Sequence, residues 1–518
     1  MFESGNGDGM SVLRKTIVFV AVFAALGAAL LTWYLETYDD REPSRVAYGD
    51  YCANCHGADL EGTPNGPALK NVELINGNST QQLITSIAHH ERVVNKAGAL
   101  DGVMLSAHTI KALALYVSEQ RQGLPTIPGS HHYNVPEGTI YSQHHDFRIE
   151  QVTTLPSAPY SIAPLPTGEI LVTEKVRGLS VVTVNGQQSA LIENTPTVWK
   201  ELLKVRGSYV GLGMMLDIAL HPDYANNGWI YLSHTERCQL DCNSLVPQTM
   251  LRVVRGKIRS GTWHSEELIW SVPTDFYTVI PDNVASGRLA FDKTGHLFIT
   301  VGGKSTYSQL HVIDTPYGKI HRVKDDGAVP EDNPYWLPLK DRSEPTTRHT
   351  VWSFGHRTTQ GLASHPQSGA IWASEMGPRG GDEINRIVEG GNYGWPLYTQ
   401  GLDYDGEPLT IGQELGLDFP ASATIPPVVD FTPAPSLSNL TFHNGQQFSA
   451  WNHDLLVGSL RARTLFRLRI ENNKVVELEK LIEHLGRIRD VAMGPNGYVY
   501  VLIEHKNGGS LLRLVPSK

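Results

Sequence analysis

No lysine- or arginine-rich tract occurs anywhere in this chain, and the formal net charge is −10, from 43 Lys and Arg against 53 Asp and Glu. That excludes the basic footprint nucleic-acid binding requires. Cysteine is scarce, with four in 518 residues, so the fold cannot be a disulfide scaffold. Only 19% of residues are charged and 41% are hydrophobic, enough for sizeable cores. Glycine and proline are plentiful instead, 49 and 31, and many stand between short apolar runs, which predicts turns rather than disorder. The length predicts about three or four units.

One uncharged apolar run stands out, Thr16 to Tyr34, TIVFVAVFAALGAALLTWY. As a helix it would span ~28 Å at 1.5 Å per residue, enough to cross a bilayer. Arg14 and Lys15 precede it, and Glu36, Asp39 and Asp40 follow. That asymmetry keeps residues 1–15 in the cytoplasm and exports the rest. Trp33 and Tyr34 fall where interfacial aromatics belong. A cleaved signal peptide is the rival, but the run is long for one and lacks a clean small-x-small site. A retained single-pass anchor over 16–34 in a bacterial inner membrane is expected, with the bulk of the chain in the periplasm.

Cys52-Ala53-Asn54-Cys55-His56 is C-x-x-C-H. Two thiols at this spacing can form thioethers to haem vinyl groups while the adjacent histidine ligates the iron; a redox dithiol is the competing reading. Cys238 and Cys242 form C-x-x-x-C in a polar stretch. In an exported chain they predict a small loop disulfide. Half of a metal site is the alternative, but no second Cys/His pair stands nearby at zinc spacing.

Residues 43–123 read as the first globular unit. Helices are expected over Arg45–Ala53, Thr80–His90 and Ser106–Arg121, the last with Ile110, Leu113, Ala114 and Tyr116 on one face. On C-A-N-C-H-G, on G-P-A-L at 66–69, and on a methionine before a final helix with a tyrosine segment, this unit resembles class I cytochromes c. The resemblance implies a small all-α domain with covalent haem c held by Cys52, Cys55 and His56. It also implies Met104 as the second iron ligand and the Pro67 carbonyl as acceptor of the proximal histidine proton. Thioether ligation raises the potential, which suits an electron acceptor. The family more often has proline after this methionine, where this chain has Leu105, so His89, His90 and His108 remain rival ligands.

A connector rich in Gly, Pro, Ser and His, 124–146, is expected to be extended, with His131 and His132 as a solvated pair. From 147 to 518 one unit recurs: an apolar strand, a polar turn with Pro and Gly, then an aromatic or β-branched strand. It appears at Ile162–Glu174, Ile218–Ser233, Leu289–Val301, Leu362–Glu375, Leu440–Gly458 and Val491–Ile503. Repeated antiparallel units without helical periodicity predict an all-β propeller with one copy per blade, hence six blades. Phe147–Leu155 and Leu511–Val515 are expected to pair and close the ring. A pair of β-sandwiches is the runner-up. The fold class expected for the whole chain is therefore multidomain: one transmembrane helix, a small all-α cytochrome c domain and a large six-bladed β-propeller.

Four stretches carry a second resemblance: Trp352–Trp395 (WSFGHRTTQGLASHPQSGAIWASEMGPRGGDEINRIVEGGNYGW), Leu289–Asp292, Gly318–Asn333 and Arg487–Val491. They resemble the glucose/sorbosone dehydrogenase family of soluble quinoproteins, propellers that bind pyrroloquinoline quinone (PQQ) with Ca²⁺. The resemblance implies that Arg357, Arg487, Arg489 and Arg461 (commonly Lys in the family) hold the carboxylates of PQQ as guanidinium forks. It implies Gly377 and Pro378 as carbonyl ligands of a Ca²⁺ at the cofactor. Glu383 and Tyr393, with Asp382 nearby, would serve a second, structural Ca²⁺. Thr358 replaces the family's usual Asn. Three catalytic positions depart further: the family's His, Gln and supporting Asp fall on Val284, Leu212 and Gly303. Asp282 is the nearest carboxylate that could act as general base.

Two functions follow from this sequence. One is a PQQ-dependent sugar or alcohol dehydrogenase that passes electrons to its own haem c, then to another cytochrome or a respiratory or photosynthetic complex. The other is a degenerate propeller serving as a docking module, with the cytochrome c unit carrying electrons for another membrane complex.

Overall fold

A computed structural model describes residues 43–90, 105–124, 133–205, 208–211, 213–238, 247–279, 286–304, 306–336, 346–404 and 406–517. The run 16–34 lies outside them, as do Met104, His131, His132, Leu212, Cys242, Asp282 and Val284. Among the described residues no helix is long and apolar enough to cross a membrane.

Each of the six sequence repeats forms the first two strands of a blade. The innermost strands are Pro159–Pro164, Met215–Leu220, Leu289–Phe291, Thr359–Ser364, Leu437–Phe442 and Arg487–Met493, and each contacts its neighbours around the ring. Their antiparallel partners are Ile170–Glu174, Ile230–Arg237, Leu297–Val301, Ile371–Glu375, Leu455–Ser459 and Val499–His505. Gly168, Gly295 and Gly497 turn three of these hairpins at φ of 88°, 84° and 79°, where a Cβ would be strained. Among the described residues, five blades have four strands and the first has three. Phe147–Leu155 pairs antiparallel with Gly508–Pro516 as the outermost strand of the sixth blade, so the chain's first strand locks onto its last. Apolar faces pack blade on blade: Phe298 and Ile320 of the third lie against Leu362 and Ile371 of the fourth.

A polar hub joins the innermost strands. Arg288 is fully buried. Its Nη1 meets Asp217 Oδ1 at 3.0 Å, its Nε donates to the Gln360 carbonyl at 2.8 Å, and its Nη2 donates to the Arg489 carbonyl at 3.0 Å. Asp490 accepts the Ile162 amide at 2.8 Å and the Asn439 side chain at 2.5 Å. One network thus touches all six blades.

The helical unit contains Pro43–Tyr51, Ala53–His56, Thr80–Ala88 and Ala107–Arg121, each expected helix being present with ends shifted by a residue or two. Ser79 and Gln82 form a capping box that starts the Thr80 helix. Ala107–Arg121 is buried on two sides. Leu113, Ala114, Tyr116 and Val117 join Tyr48, Leu60 and Leu83 in the unit's own core. Ala112 and Leu115 face outward and pack on Leu402 of the propeller.

The connector after residue 132 is not free. Tyr133, Val135 and Ile140 pack against the sixth-blade core, and the Asn134 amide donates to the Leu485 carbonyl at 3.0 Å. Its apolar residues find a hydrophobic surface, which a reading of its Gly and Pro content does not register. Cys238 is disulfide-bonded.

Candidate functional site

One face of the propeller gathers most of the expected site residues, and topology explains why. In every blade the chain enters the innermost strand and leaves the second strand at the same end. Arg357 precedes the innermost strand of the fourth blade, and Arg487 and Arg489 begin that of the sixth. Gly303, Gly377, Pro378 and Arg461 follow second strands. Loops carried on a rigid scaffold are the usual place for binding chemistry.

Arg357 is buried. Its amide bonds to Glu375 Oε1, Nη1 donates to the Met376 carbonyl at 2.8 Å, and Nη2 donates to Tyr404 Oη at 2.9 Å. Among the described residues its Nε finds no hydrogen-bond partner, nor do the buried Thr358 Oγ1 and Trp395 Nε1. Trp395 lines the same small pocket as Arg357, Glu375, Gly377, Glu383 and Tyr393. Buried polar atoms left unpaired are costly and mark a place for a polar ligand.

The other guanidiniums are engaged. Arg489 donates to Glu504 from Nη2 at 2.6 Å and from Nε at 2.9 Å, and Lys175 Nζ lies 3.2 Å from the same oxygen. Arg487 Nε is 3.9 Å from Glu504. Burial opposes ionisation of Glu504, but Arg489, Lys175 and Arg487 overcome it and hold the carboxyl well below the usual range. Arg461 donates to Glu119 of the helical unit at 3.0 Å and to the Ala434 carbonyl at 3.3 Å.

Around Gly377 the backbone turns inward. A Cβ there would meet the Gly380 and Gly381 carbonyl oxygens at 2.2 and 2.4 Å, so only glycine fits. Asp382 holds this loop by accepting the amides of Gly377 and Leu437, each at 2.8 Å. Burial pushes Asp382 up to about 7 despite those two bonds. Glu375, Glu383 and Asp430 are opposite one another across three neighbouring strands. Burial, then the adjacent Glu375, pushes Glu383 up to about 8. The Tyr393 hydroxyl is taken by the Arg386 carbonyl at 2.6 Å, which leaves only its backbone for a cation. Among the described residues no group of three or more His, Cys, Asp or Glu converges as a metal centre. The chemistry nonetheless fits Ca²⁺, because Asp382 and Glu383 are carboxyls whose charged form burial opposes and a cation would favour.

Gly303 donates its amide to the Arg357 carbonyl at 2.6 Å. A Cβ there would lie 2.1 Å from Leu310 Cδ2 and 3.1 Å from Gly318 Cα. The supporting Asp that the resemblance puts at this position would require Leu310 to move aside.

In the helical unit, His56 Nδ1 is 2.8 Å from the Pro67 carbonyl. A carbonyl only accepts, so Nδ1 carries the proton and Nε2 keeps the lone pair a ligand needs. No disulfide joins Cys52 to Cys55. Burial, then Cys55, pushes Cys52 up to about 12, the reverse of the low-pKa thiolate a redox dithiol uses. This donor set fits a covalent haem. His90 stands with its ring centroid 6.1 Å from that of His56 and nearly perpendicular to it. His89 Nδ1 is turned to the Thr85 carbonyl at 2.7 Å, and His108 Nε2 is 3.3 Å from Glu407.

Sequence reasoning missed Glu375, Glu504, Arg379 and Glu119. Each is one charged residue in an ordinary strand, loop or helix, and only its partners give it meaning.

Comparison with known proteins bears on the propeller. A model of the family described as Glucose / Sorbosone dehydrogenase matches residues 156–513, a stretch that begins after the helical unit. The chain is 33% identical over 370 residues to the aldose sugar dehydrogenase YliI of Escherichia coli, covering 69% of this chain and 90% of that one. It is 26% identical over 417 residues to quinoprotein glucose dehydrogenase B of Acinetobacter calcoaceticus, covering 67% and 83%. The solved apo form of the soluble aldose sugar dehydrogenase of Escherichia coli superposes with a TM-score of 0.61 at 30% identity, covering 72% of this chain and all of that one. Six blades, the ring closure and this match agree: the chain belongs to the glucose/sorbosone dehydrogenase family.

Proposed function

We propose that this protein is a membrane-anchored, periplasmic oxidoreductase whose propeller binds PQQ with Ca²⁺ and oxidises a sugar or other alcohol. Its helical unit carries covalent haem c and relays the electrons outward. The observation that carries this reading is the unpaired Nε of buried Arg357, beside Trp395 Nε1 and Thr358 Oγ1, on the rim of a propeller of this family. The dehydrogenases it resembles include a quinoprotein by name.

Arg357, Arg487 and Arg489 would hold the carboxylates of the quinone, and Gly377 and Pro378 would offer carbonyls to its Ca²⁺. When bound, the quinone supplies the two-electron oxidant. Asp282 is the candidate for taking the substrate's hydroxyl proton. Cys52 and Cys55 would attach the haem, and His56 Nε2 and Met104 would serve as iron ligands. Oxidising one alcohol releases two electrons and two protons, whereas the haem takes one electron at a time. Each turnover therefore needs two one-electron oxidations by an external acceptor, such as another cytochrome.

A second reading, a catalytically degenerate propeller that serves as a docking module, has its own support. Glu504 already pairs with Arg489, Gly303 carries no carboxylate and has Leu310 packed against it, and Val284 and Leu212 are apolar.

Purified full-length protein, supplied with Ca²⁺ and PQQ, should show the haem α-band rising when aldoses and alcohols are offered. Failure to bind PQQ would favour the docking module. Changing both Cys52 and Cys55 to Ala should abolish covalent haem, read by the pyridine haemochrome after denaturation. Retained covalent haem would end the attachment assignment. The reduced and oxidised spectra then test Met104, since its replacement by Ala should remove a thioether signature that a His90–iron bond would never show.

A further inference from the structure

The helical unit is seated on the same face of the propeller as the candidate pocket. Glu119, in the last turns of Ala107–Arg121, is only 2% exposed. Its Oε2 accepts from Arg379 Nη2 at 2.8 Å, and its Oε1 accepts from Arg461 Nη1 at 3.0 Å and Arg379 Nε at 3.3 Å. Arg379 Nη1 reaches on to Ser44 Oγ at 2.9 Å, and Thr80 Oγ1 donates to the Thr432 carbonyl at 3.0 Å. Arg379 directly follows the Gly377-Pro378 pair, and Arg461 is two residues past the second strand of the fifth blade.

A small apolar seam such as Ala112 and Leu115 on Leu402 excludes water but tolerates sliding. One dry carboxylate held between two guanidinium forks does not, because a small shift leaves buried charge uncompensated. The bond pattern therefore sets the register of the two units, with Arg461 contributing one bond to the seam.

We infer that Glu119 is a docking residue, with Arg379 and Arg461 as its receptor, and that it holds the C-x-x-C-H unit at the rim of the pocket as a built-in electron acceptor. The purpose rests on the haem and quinone reading above. The docking itself does not.

Glu119→Gln in the full chain keeps the shape and removes the charge. Amide hydrogen exchange at Gly381 and Thr432 should rise. Reduction of the haem by substrate should slow by about tenfold or more, as expected when a reacting group is misplaced, while reduction of a soluble dye by the propeller stays unchanged. Arg379→Gln should do the same, and the double variant should add little to either single one, because both break one contact. If Glu119→Gln does not fold, Arg379→Gln carries the test. Unchanged exchange at the seam, or full additivity of the two variants, would overturn the assignment. If exchange rises as expected but the parent protein never reduces the dye, the docking role stands and the dehydrogenase reading falls.

Discussion

Replacing Arg288 by methionine should lower the stability of the propeller by about 3–5 kcal/mol, the range for removing one partner of a buried charge pair. The size follows from what is left behind. Asp217 would lose its guanidinium partner, keeping only the Leu289 amide at 2.8 Å. The carbonyls of Gln360 and Arg489 would each lose a charged donor. Asp490, whose carboxyl burial already pushes up, would lose the cation that opposes that push. Arg288, Asp217 and Asp490 are all buried at the hub, so the stranded groups are shielded from bulk solvent. The Tyr160 ring under the guanidinium, 4.4 Å from its carbon, would lose its cation contact as well. Denaturant unfolding of Arg288→Met beside the parent measures this. Adding Asp217→Asn to Arg288→Met should restore part of the loss, because the stranded charge is then gone. A loss below about 1 kcal/mol, the scale of an exposed ion pair, would show that the hub is ornament rather than axle.

That hub also shows where sequence reading stops. The repeats were legible because each blade needs the same apolar strand, tight turn and apolar strand, and glycine at the turn is a backbone requirement. The residue just before the repeated apolar pair on each innermost strand is Ser161, Asp217, Arg288, Gly361, Asn439 and Asp490 in turn. Six residues of five types show no pattern along the chain; Asp217, Arg288, Asn439 and Asp490 become one network only when the ring closes. Gly361 is set by its paired strand and the neighbouring blade, since a Cβ would meet Ser374 Oγ at 2.4 Å and the Ser438 carbonyl at 2.8 Å. The helical unit divides in the same way. Its helices follow from spacing and caps. Glu119 reads as a solvated charge at a helix end, and nothing local reveals that two arginines more than 250 residues away enclose it. Arg461 illustrates the same limit at the candidate site: its place after the strand is legible, but its bond to Glu119 of the helical unit is not.

Metal-free protein should lose stability as the pH rises through the neutral range, and Ca²⁺ should give it back. The sign follows from Glu383 and Asp382, whose folded-state values are raised to about 8 and about 7. For Glu383 burial is the larger cause and the neighbouring Glu375 the next; for Asp382 it is burial, opposed by two backbone amides. A raised acid is favoured while protonated, so its contribution is complete below its unfolded value, 4.5 for Glu383. It is lost as the pH climbs through the folded value. Within that window each group costs up to about 1.4 kcal/mol per pH unit. Asp430, also raised by burial, adds in the same direction. Glu504 is shifted the opposite way, and its contribution disappears only at the acid end. A divalent cation beside Glu383 would remove the penalty, because it favours the charged form that burial opposes. Thermal unfolding across this window, with chelator or with Ca²⁺, should therefore give curves that converge at low pH and separate as the pH rises. Glu383→Gln should raise the melting temperature of the metal-free protein at pH 8, since it removes a like charge opposite Glu375, and should blunt the response to Ca²⁺. Curves that stay parallel with and without Ca²⁺, or a Glu383→Gln variant that still gains fully from it, would remove Glu383 from the cation site.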